Sequence, residues 1–208
     1  MSGPLTQRLF DDADTAHLDP VALFEEWFAL ARENEINDAH AMALATADAH
    51  GLPDVRMVLL NQRDDRGFAF FTNFQSAKGQ QLATNPQAAM VMHWKSIRRQ
   101  VRMRGPVEEV TPAEADAYFA SRHRGSQIAS AVSDQSRPLA SRDELTHRFE
   151  IRTAEVGDGP VLRPVHWSGY RIVPTMIEFW KDGEHRLHDR VQFTRHGTED
   201  WTRQRLYP

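Results

Sequence analysis

The chain has 208 residues, of which 40% are apolar and 26% charged, so it can bury one substantial core. Its formal net charge of -4 argues against a protein whose main ligand is a nucleic-acid backbone. It contains no cysteine, which excludes disulfides, thiolate catalysis and cysteine-ligated metal sites. No segment resembles a basic leader or the ~20 consecutive apolar residues of a membrane span, so we expect a cytoplasmic location.

A polar, acidic segment precedes the first amphipathic element. Residues 1–18 show no periodic apolar pattern, which predicts a flexible N-terminal arm. Asp19 is a suitable N-cap with Pro20 at the first helical position, so a helix is predicted to begin here. Its apolar side chains at helical spacing predict a face packed in the core, namely Val21, Phe24, Trp27, Phe28 and Ala31. We expect residues 19–208 to form a single domain.

Strand-like segments rich in Val, Leu and Phe replace the helical pattern from Ala41 onward. Turn-forming groups around Gly51 and at residues 64–67 separate the first of them. A polar helix, SAKGQQLATN, is predicted after the third segment. The predicted strands, in order, are AMALATA, VRMVLLNQ, GFAFFTN, AAMVMHW, RRQVRMRG, VEEV, GYRIV, MIEFWK, EHRLHDRVQF and WTRQRLY.

Two further helices interrupt the succession of strands. Thr111 and Glu114 form a capping box at the start of one, and Ser141 and Glu144 at the start of another that runs towards Val156. Many meandering strands with a few helices predict an α+β fold whose antiparallel sheet closes as a barrel.

The segment EFWKDGEHRLHDR near the C-terminus is predicted to bring two guanidiniums and an imidazole onto one strand face. The pair Asp182-Gly183 favours a type I′ hairpin. In the strand predicted to follow, a period of two places on one face Glu184, Arg186, His188 and Arg190. Such a face can bind a phosphate beside an aromatic ring, and a merely solvated polar face is an equally open interpretation. His185 and His188 lack metal-site spacing, which predicts no metal site.

Eight motifs occur in one order between Asp19 and Pro208. They are RMVLLN, FFTN, SAKGQQL, RRQV, YFASRHRGSQIASAVSDQS, IEFW, GEHRLHDR and RLYP. Together they resemble the pyridoxine/pyridoxamine 5'-phosphate oxidase family, and the SQI and RLHDR runs are specific in combination. The resemblance implies an antiparallel split β-barrel of Greek-key type with flanking helices. It also implies a homodimer with FMN in a cleft between the subunits.

Matching motif positions implies the residues that contact FMN. Arg56 and Lys78, with the hydroxyl of Ser136, are expected to hold the flavin phosphate by charge-assisted hydrogen bonds. The amide of Gln100 can bond a polar edge of the isoalloxazine ring. The full set implied by the resemblance is Arg56, Met57, Val58, Leu59, Phe71, Thr72, Lys78, Gln100, Gln135, Ser136, Trp167 and Arg190.

The resemblance also implies a pocket for the phosphate of the substrate, formed by Asn61, Tyr118, Arg122 and Ser126. Arg186 and His188 are expected to flank the pyridine ring and to contribute catalytically by holding it at reacting distance. Tyr118 and Arg122, at i and i+4, can present a phenol and a guanidinium to one phosphate, although a core aromatic at Tyr118 is the alternative.

The chain departs from the family pattern at two positions and in one segment. Asn61 stands where the family carries lysine, which weakens phosphate binding by ~1.5–3 kcal/mol unless a neighbour compensates. Ala77 stands where a second basic residue often precedes the lysine equivalent to Lys78. Residues 1–18 lack the Arg/Tyr pattern that folds over the substrate in some members.

The resemblance implies an FMN-dependent oxidase that converts pyridoxamine or pyridoxine 5'-phosphate to pyridoxal 5'-phosphate, with O2 reduced to H2O2. We expect no nucleic-acid or membrane partner. Asn61 favours an alternative, a related flavin oxidase that acts on another planar substrate, as in phenazine biosynthesis. A non-catalytic split-barrel protein that carries flavin, haem or pyridoxal phosphate is a second alternative.

Overall fold

A computed structural model describes residues 3–11, 17–197 and 200–208. The helices in these ranges are α1 (Pro4–Leu9), α2 (Pro20–Asn34), α3 (Ala77–Thr84), α4 (Pro112–Ser121), α5 (Arg124–Val132), α6 (Arg142–Val156) and a 3-10 turn (Glu184–Arg186). The strands are β1 (Ala41–Ala47), β2 (Pro53–Leu59), β3 (Gln62–Asp64), β4 (Gly67–Asn73), β5 (Gln87–Trp94), β6 (Arg99–Glu109), β7 (Trp167–Ile172), β8 (Met176–Lys181), β9 (Asp189–His196) and β10 (Asp200–Arg205). Among the helices so described, none has the length and apolar character needed to cross a membrane.

The strands form one antiparallel system in which β6 belongs to two sheets. The longer sheet runs in the order β10-β9-β8-β6-β5-β1-β2, and β7, β4 and β3 continue from the far end of β6. Residues Arg99–Arg104 of β6 pair with β8, whereas Val107–Glu109 pair with β7. Gly105 lies between these two stretches, where an added Cβ would come within 2.0 Å of the carbonyl oxygen of Val173. The predicted split barrel with antiparallel strands and flanking helices is confirmed.

The helix α2 fills the inside of the curled sheet with aromatic side chains. The ring of Phe24 meets that of Phe68 edge-on at 4.9 Å, and Trp27 meets Phe179 in the same way at 5.1 Å. Asp19 accepts a hydrogen bond from the backbone N–H of Val21, as the predicted N-cap requires. The core therefore lies between α2 and the concave face of the sheet.

The N-terminal segment differs from the arm predicted for residues 1–18. Residues Pro4–Leu9 form α1, and the side chains of Leu9 and Leu18 are buried in the main core. The prediction of an arm without regular structure is therefore wrong at α1. The acidic residues 12–16 of the predicted arm lie outside the described residues.

A carboxylate from α2 stabilises the first turn of α1. Glu26 accepts hydrogen bonds from the backbone N–H groups of Leu5 and Thr6, both at 2.9 Å, and from the Thr6 hydroxyl. The indole N–H of Trp27 donates in turn to the Thr6 hydroxyl at 2.8 Å. Because the N-cap Gly3 offers no side-chain acceptor, Glu26 satisfies donors that the helix itself leaves open.

The predicted hairpin at Asp182-Gly183 is wrong. Strand β8 pairs Lys181 with Asp189 of β9, so residues 182–188 form a connecting loop rather than a two-residue turn. A type I′ turn needs positive φ at both central residues, and Gly183 has a φ of -128°. Positive φ occurs further on, at His185 and Arg186. The expected single strand face carrying Glu184, Arg186, His188 and Arg190 therefore does not form.

Glu26→Gln is expected to lower the free energy of unfolding by about 1–2 kcal/mol, because a neutral amide accepts more weakly than the carboxylate at the end of α1. Urea unfolding followed by tryptophan fluorescence measures this change. Glu33→Gln, on the exposed side of α2, the helix that also carries Glu26, is the matched control and is expected to change stability by less than about 0.5 kcal/mol. Equal effects of the two substitutions would contradict the role assigned to Glu26.

Candidate active site

A cavity of about 440 Å³ opens between β2, β4, α4 and α5. Eight side chains predicted to contact FMN line it: Met57, Val58, Leu59, Phe71, Thr72, Lys78, Gln135 and Trp167. Four side chains predicted to bind the substrate phosphate line it as well: Asn61, Tyr118, Arg122 and Ser126. Residues separated by more than a hundred positions in the chain thus share one cavity.

Lys78 lies at one end of the cavity, in the first turn of α3. Ser76 caps this helix by accepting from the backbone N–H of Gly79. The Lys78 ammonium lies 2.9 Å from Gln135 Oε1, 3.2 Å from Thr72 Oγ1 and 3.4 Å from Ser76 Oγ. Three neutral oxygens therefore surround a cation that is only 8% exposed.

The electrostatic environment of Lys78 suits an anionic ligand. Burial lowers the pKa of Lys78, and the nearby charge of Arg56 lowers this pKa further, while Asp54 acts in the opposite direction. A negatively charged group in the cavity would favour the protonated ammonium and offset the unfavourable desolvation. This end of the cavity therefore has the donors and the charge that a phosphate group needs.

Planar side chains form one wall of the cavity. The ring of Phe71 stacks on Tyr118 at 4.1 Å and on Trp167 at 5.5 Å, and the planes of these rings lie within 22° of each other. The guanidinium of Arg122 lies over the Trp167 ring, 4.8 Å from its centre. Flat apolar surfaces with a cation at the edge suit a flat, anionic ligand.

Hydrogen bonds fix the polar groups beside this wall. Asn61 Nδ2 donates to the Tyr118 hydroxyl at 2.5 Å, and Asn61 Oδ1 accepts from the backbone N–H of Phe71 at 3.3 Å. Burial raises the pKa of Tyr118, against the lowering effects of Arg122 and Asn61. Burial also lowers the pKa of Arg122. The phenol therefore stays protonated at neutral pH and can donate to a ligand oxygen.

Arg56 and Ser136 lie outside this cavity. Arg56 forms an ion pair with Asp54 and donates to Gln81 and Thr46. Ser136 lines a neighbouring cavity of about 320 Å³, which shares Ser133 and Gln135 with the first. Both residues are therefore near the Lys78 end of the site without lining the cavity itself.

Gln100 and Arg190 lie on a different part of the sheet. The register places Gln100 of β6 opposite Trp180 of β8, and Trp180 opposite Arg190 of β9. The buried carboxylate of Glu178 accepts from Arg190 Nε at 3.0 Å and also from Arg102, and Arg190 donates to the Tyr207 carbonyl. Within one chain, this set does not join the cavity.

Arg186 and His188 are likewise separate from the cavity lining. Both lie in the loop 182–188, where His188 Nδ1 is 3.1 Å from Asp182 Oδ1. The imidazole packs against the Trp180 ring, with 4.7 Å between the ring centres. Their predicted role beside a substrate ring therefore requires the cavity of a second subunit. That role stays a prediction.

The cavity also contains residues that the sequence analysis does not single out. They are Asn73, Ala129, Ser130 and Ser133. Ser126 and Ser130 are four residues apart on α5, so the helical period places both on one face. That spacing is the signal in the sequence that could have identified Ser130.

Comparison with known proteins places the chain in a family. The family model described as pyridoxamine 5'-phosphate oxidase matches residues 31–157. The chain belongs to this family. A second family model, described as a pyridoxine 5'-phosphate oxidase C-terminal dimerisation region, matches residues 167–208. This second match supports a homodimer.

Relatives in the oxidase family cover nearly the whole chain. A protein of Azorhizobium caulinodans named pyridoxine/pyridoxamine 5'-phosphate oxidase is 56% identical over 206 residues, which covers 99% of this chain and 95% of the relative. One of Novosphingobium aromaticivorans with the same name is 55% identical, covering 92% and 95%. The crystal structure of PhzG from Burkholderia lata 383 in complex with tetrahydrophenazine-1-carboxylic acid matches with a TM-score of 0.87 at 30% identity, covering 96% and 97%.

Lys78→Met is expected to raise the free energy of unfolding of the ligand-free protein at pH 7 by on the order of 1 kcal/mol, because it removes a desolvated charge. Burial holds the folded-state pKa of Lys78 below the ordinary lysine pKa of 10.5, so the unfolded chain binds more protons in the pH range between the folded-state and unfolded-state pKa. The stability of the natural chain therefore rises with pH in that window.

The stability advantage of methionine at position 78 should accordingly shrink as the pH approaches 10.5, the ordinary pKa of a lysine side chain. Urea unfolding at pH 7 and at pH 10 measures both effects, with Lys95→Met at an exposed lysine as the matched control. A loss of stability at pH 7 in Lys78→Met, or a gain that does not change with pH, would contradict this account of Lys78.

Proposed function

We propose that this chain is an FMN-dependent oxidase that converts pyridoxamine or pyridoxine 5'-phosphate to pyridoxal 5'-phosphate, with O2 reduced to H2O2. One observation carries the proposal. Eight of the twelve side chains predicted to contact FMN line the same cavity as the four predicted to bind a substrate phosphate. Relatives at 53–56% identity, all named pyridoxine/pyridoxamine 5'-phosphate oxidase, support it.

The residues of the cavity fit FMN. Lys78 and Thr72, with Gln135, would hold its phosphate, since a buried ammonium ringed by neutral oxygens favours an anion. Phe71 and Trp167 offer flat surfaces beside the tricyclic ring. When bound, FMN supplies the two-electron acceptor for oxidation of an amine or alcohol, and O2 then accepts the electrons.

The contribution of the chain is to bind and orient the substrate. Arg122 would hold the phosphate of the substrate by its charge. Tyr118 would donate its hydroxyl proton to the same phosphate, because Asn61 donates to the Tyr118 oxygen and leaves that proton free. Fixing the phosphate at one end aligns the reacting carbon with the cofactor, which lowers the entropic cost of reaching the reacting geometry.

A second copy of the chain would supply the residues that lie outside the cavity. Four predicted site residues do not line the cavity of their own subunit, namely Gln100, Arg186, His188 and Arg190, so we infer that they reach the cavity of the partner. The match of residues 167–208 to a dimerisation region supports this arrangement. In it, Arg186 and His188 would flank the substrate ring, and His188 is the candidate proton acceptor.

The convex face of the long sheet is the candidate dimer surface. Val55, Met57 and Leu59 alternate along the edge strand β2 and are 65%, 64% and 42% exposed. The register continues this row through Ala43 and Val91 of the neighbouring strands. An apolar row of this kind on an edge strand favours burial against another chain.

A turnover assay tests the proposed function. The purified protein, loaded with FMN, is expected to release H2O2 and pyridoxal 5'-phosphate from pyridoxine or pyridoxamine 5'-phosphate. The likeness to PhzG favours one competitor, so a tetrahydrophenazine carboxylic acid is the second substrate to assay. Peroxide from that compound alone would replace the proposal by a phenazine-type oxidase, and flavin binding without peroxide from either would indicate a carrier.

Asn61→Lys is expected to lower the KM for pyridoxine 5'-phosphate roughly tenfold, because it adds a cation beside Tyr118 and Arg122. The KM for unphosphorylated pyridoxine should not change. Gln62→Lys adds the same charge one residue further along, at a position that does not line the cavity, and serves as the control. An equal decrease of KM for both substrates would show that the phosphate does not lie at Asn61.

Val55→Asp is expected to convert the dimer to monomers and to release FMN, because two carboxylates would be buried in the apolar surface. Light scattering with size-exclusion chromatography gives the mass, and flavin absorbance gives the cofactor content. Ile36→Asp, at an apolar side chain that is 92% exposed outside the sheet, is the matched control. A Val55→Asp protein that remains a dimer would exclude this face as the interface.

A further inference from the structure

Ser130 has both of its hydrogen-bonding directions defined in the structure. Its hydroxyl oxygen accepts from Arg122 Nη1 at 2.7 Å, and its proton is donated to the carbonyl oxygen of Ser126 at 2.9 Å. The donor of one bond is a guanidinium that lines the cavity, and the acceptor of the other belongs to the preceding turn of α5. The Ser130 hydroxyl therefore links helix α5 to the guanidinium of Arg122.

The remainder of Arg122 is already fixed at its backbone. Arg122 is the C-cap residue of α4, and its carbonyl oxygen accepts from Gln127 Nε2 at 3.0 Å. Its guanidinium carbon lies over the Trp167 ring, 4.8 Å from the ring centre, and such a contact restrains the distance of the group from the ring more than its rotation. The bond to Ser130 supplies the directional restraint that stacking lacks.

The orientation of Arg122 matters more in this chain than it would if a second cation lay nearby. The neighbouring position is the neutral Asn61, whose amide is engaged with Tyr118. A phosphate beside Tyr118 would consequently depend on Arg122 for charge. A guanidinium held in advance in one rotamer loses less conformational freedom when it binds than a freely rotating one.

We propose that Ser130 is a positioning residue that fixes the guanidinium of Arg122 for the phosphate of the substrate. This inference rests on the proposed function for the identity of the substrate. It assigns to Ser130 no contact with the reacting atoms, so its effect is on the binding of the phosphate rather than on the rate of the oxidation.

Ser130→Ala is expected to raise the KM for pyridoxine 5'-phosphate roughly fivefold to tenfold and to change kcat less than about twofold. Unphosphorylated pyridoxine should show no change in KM. Alanine is favourable within a helix, so α5 is expected to persist. Ser130→Thr keeps a hydroxyl that can bond to the preceding turn and should restore the KM of the natural chain.

Thr153→Ala is the matched control. Thr153 also bonds to a carbonyl one turn earlier in an exposed helix, but it holds no cation that lines the cavity. Its KM for either substrate should equal that of the natural chain. If Ser130→Ala raises the KM of both substrates equally, or if Ser130→Thr does not restore it, the proposal is overturned.

A double-mutant cycle separates an effect through Arg122 from a direct one. Arg122→Ala should weaken phosphate binding more than tenfold, and adding Ser130→Ala should then have almost no further effect. Additive effects of the two substitutions would show that Ser130 acts independently of Arg122, and that would overturn the proposal.

Direct binding distinguishes failure of this inference from failure of the proposed function. Quenching of tryptophan fluorescence by pyridoxal 5'-phosphate gives a dissociation constant without turnover, and Trp167 lies in the cavity to report it. Weaker binding to Ser130→Ala supports the positioning role even if no peroxide is formed from the vitamin B6 phosphates. Equal binding to the two proteins overturns the role even if the oxidase activity is found.

Discussion

The close approach of two backbones at Gly105 determines how the sheet is divided. At this point β6 stops pairing with β8 and begins to pair with β7, and the carbonyl of Val173 occupies the space that a Cβ would need. The change of partner brings β7 and β4, with Trp167 and Phe71, to one side of the barrel. A flat sheet could not place these rings beside α4 and α5, so the cavity depends on this bend.

The candidate site combines two kinds of electrostatic environment. At one end a buried ammonium is surrounded by neutral oxygens, and at the other a guanidinium stacks on Trp167 beside the Tyr118 phenol. Neither end brings a carboxylate against its cation, in contrast to Arg190, which Glu178 neutralises on the convex face. Among the described residues, Lys78 and Arg122 have neutral hydrogen-bond partners in the cavity, whereas Arg190 on the sheet is paired with a carboxylate.

Local signals predicted the elements that local interactions stabilise. The capping box of Thr111 and Glu114 and the N-cap at Asp19 have the bonds that their spacing indicates. Helix α1 was not predictable in this way, because the acceptor that caps it, Glu26, lies on another helix. The loop 182–188 was mispredicted because the pair Asp182-Gly183 indicated a two-residue turn. The register of β8 and β9 instead leaves seven residues between the strands.

The buried ammonium of Lys78 makes the stability of the folded protein depend on a ligand. Three neutral oxygens satisfy its hydrogen bonds, yet they do not offset the charge. A ligand that brings the missing negative charge would bind only to the folded chain, so the free energy of unfolding would rise with the logarithm of the ligand concentration once that concentration exceeds the dissociation constant. If FMN is that ligand, the protein made in cells poor in flavin would unfold more often and would be degraded sooner. Cofactor supply would then govern the abundance of the enzyme as well as its activity.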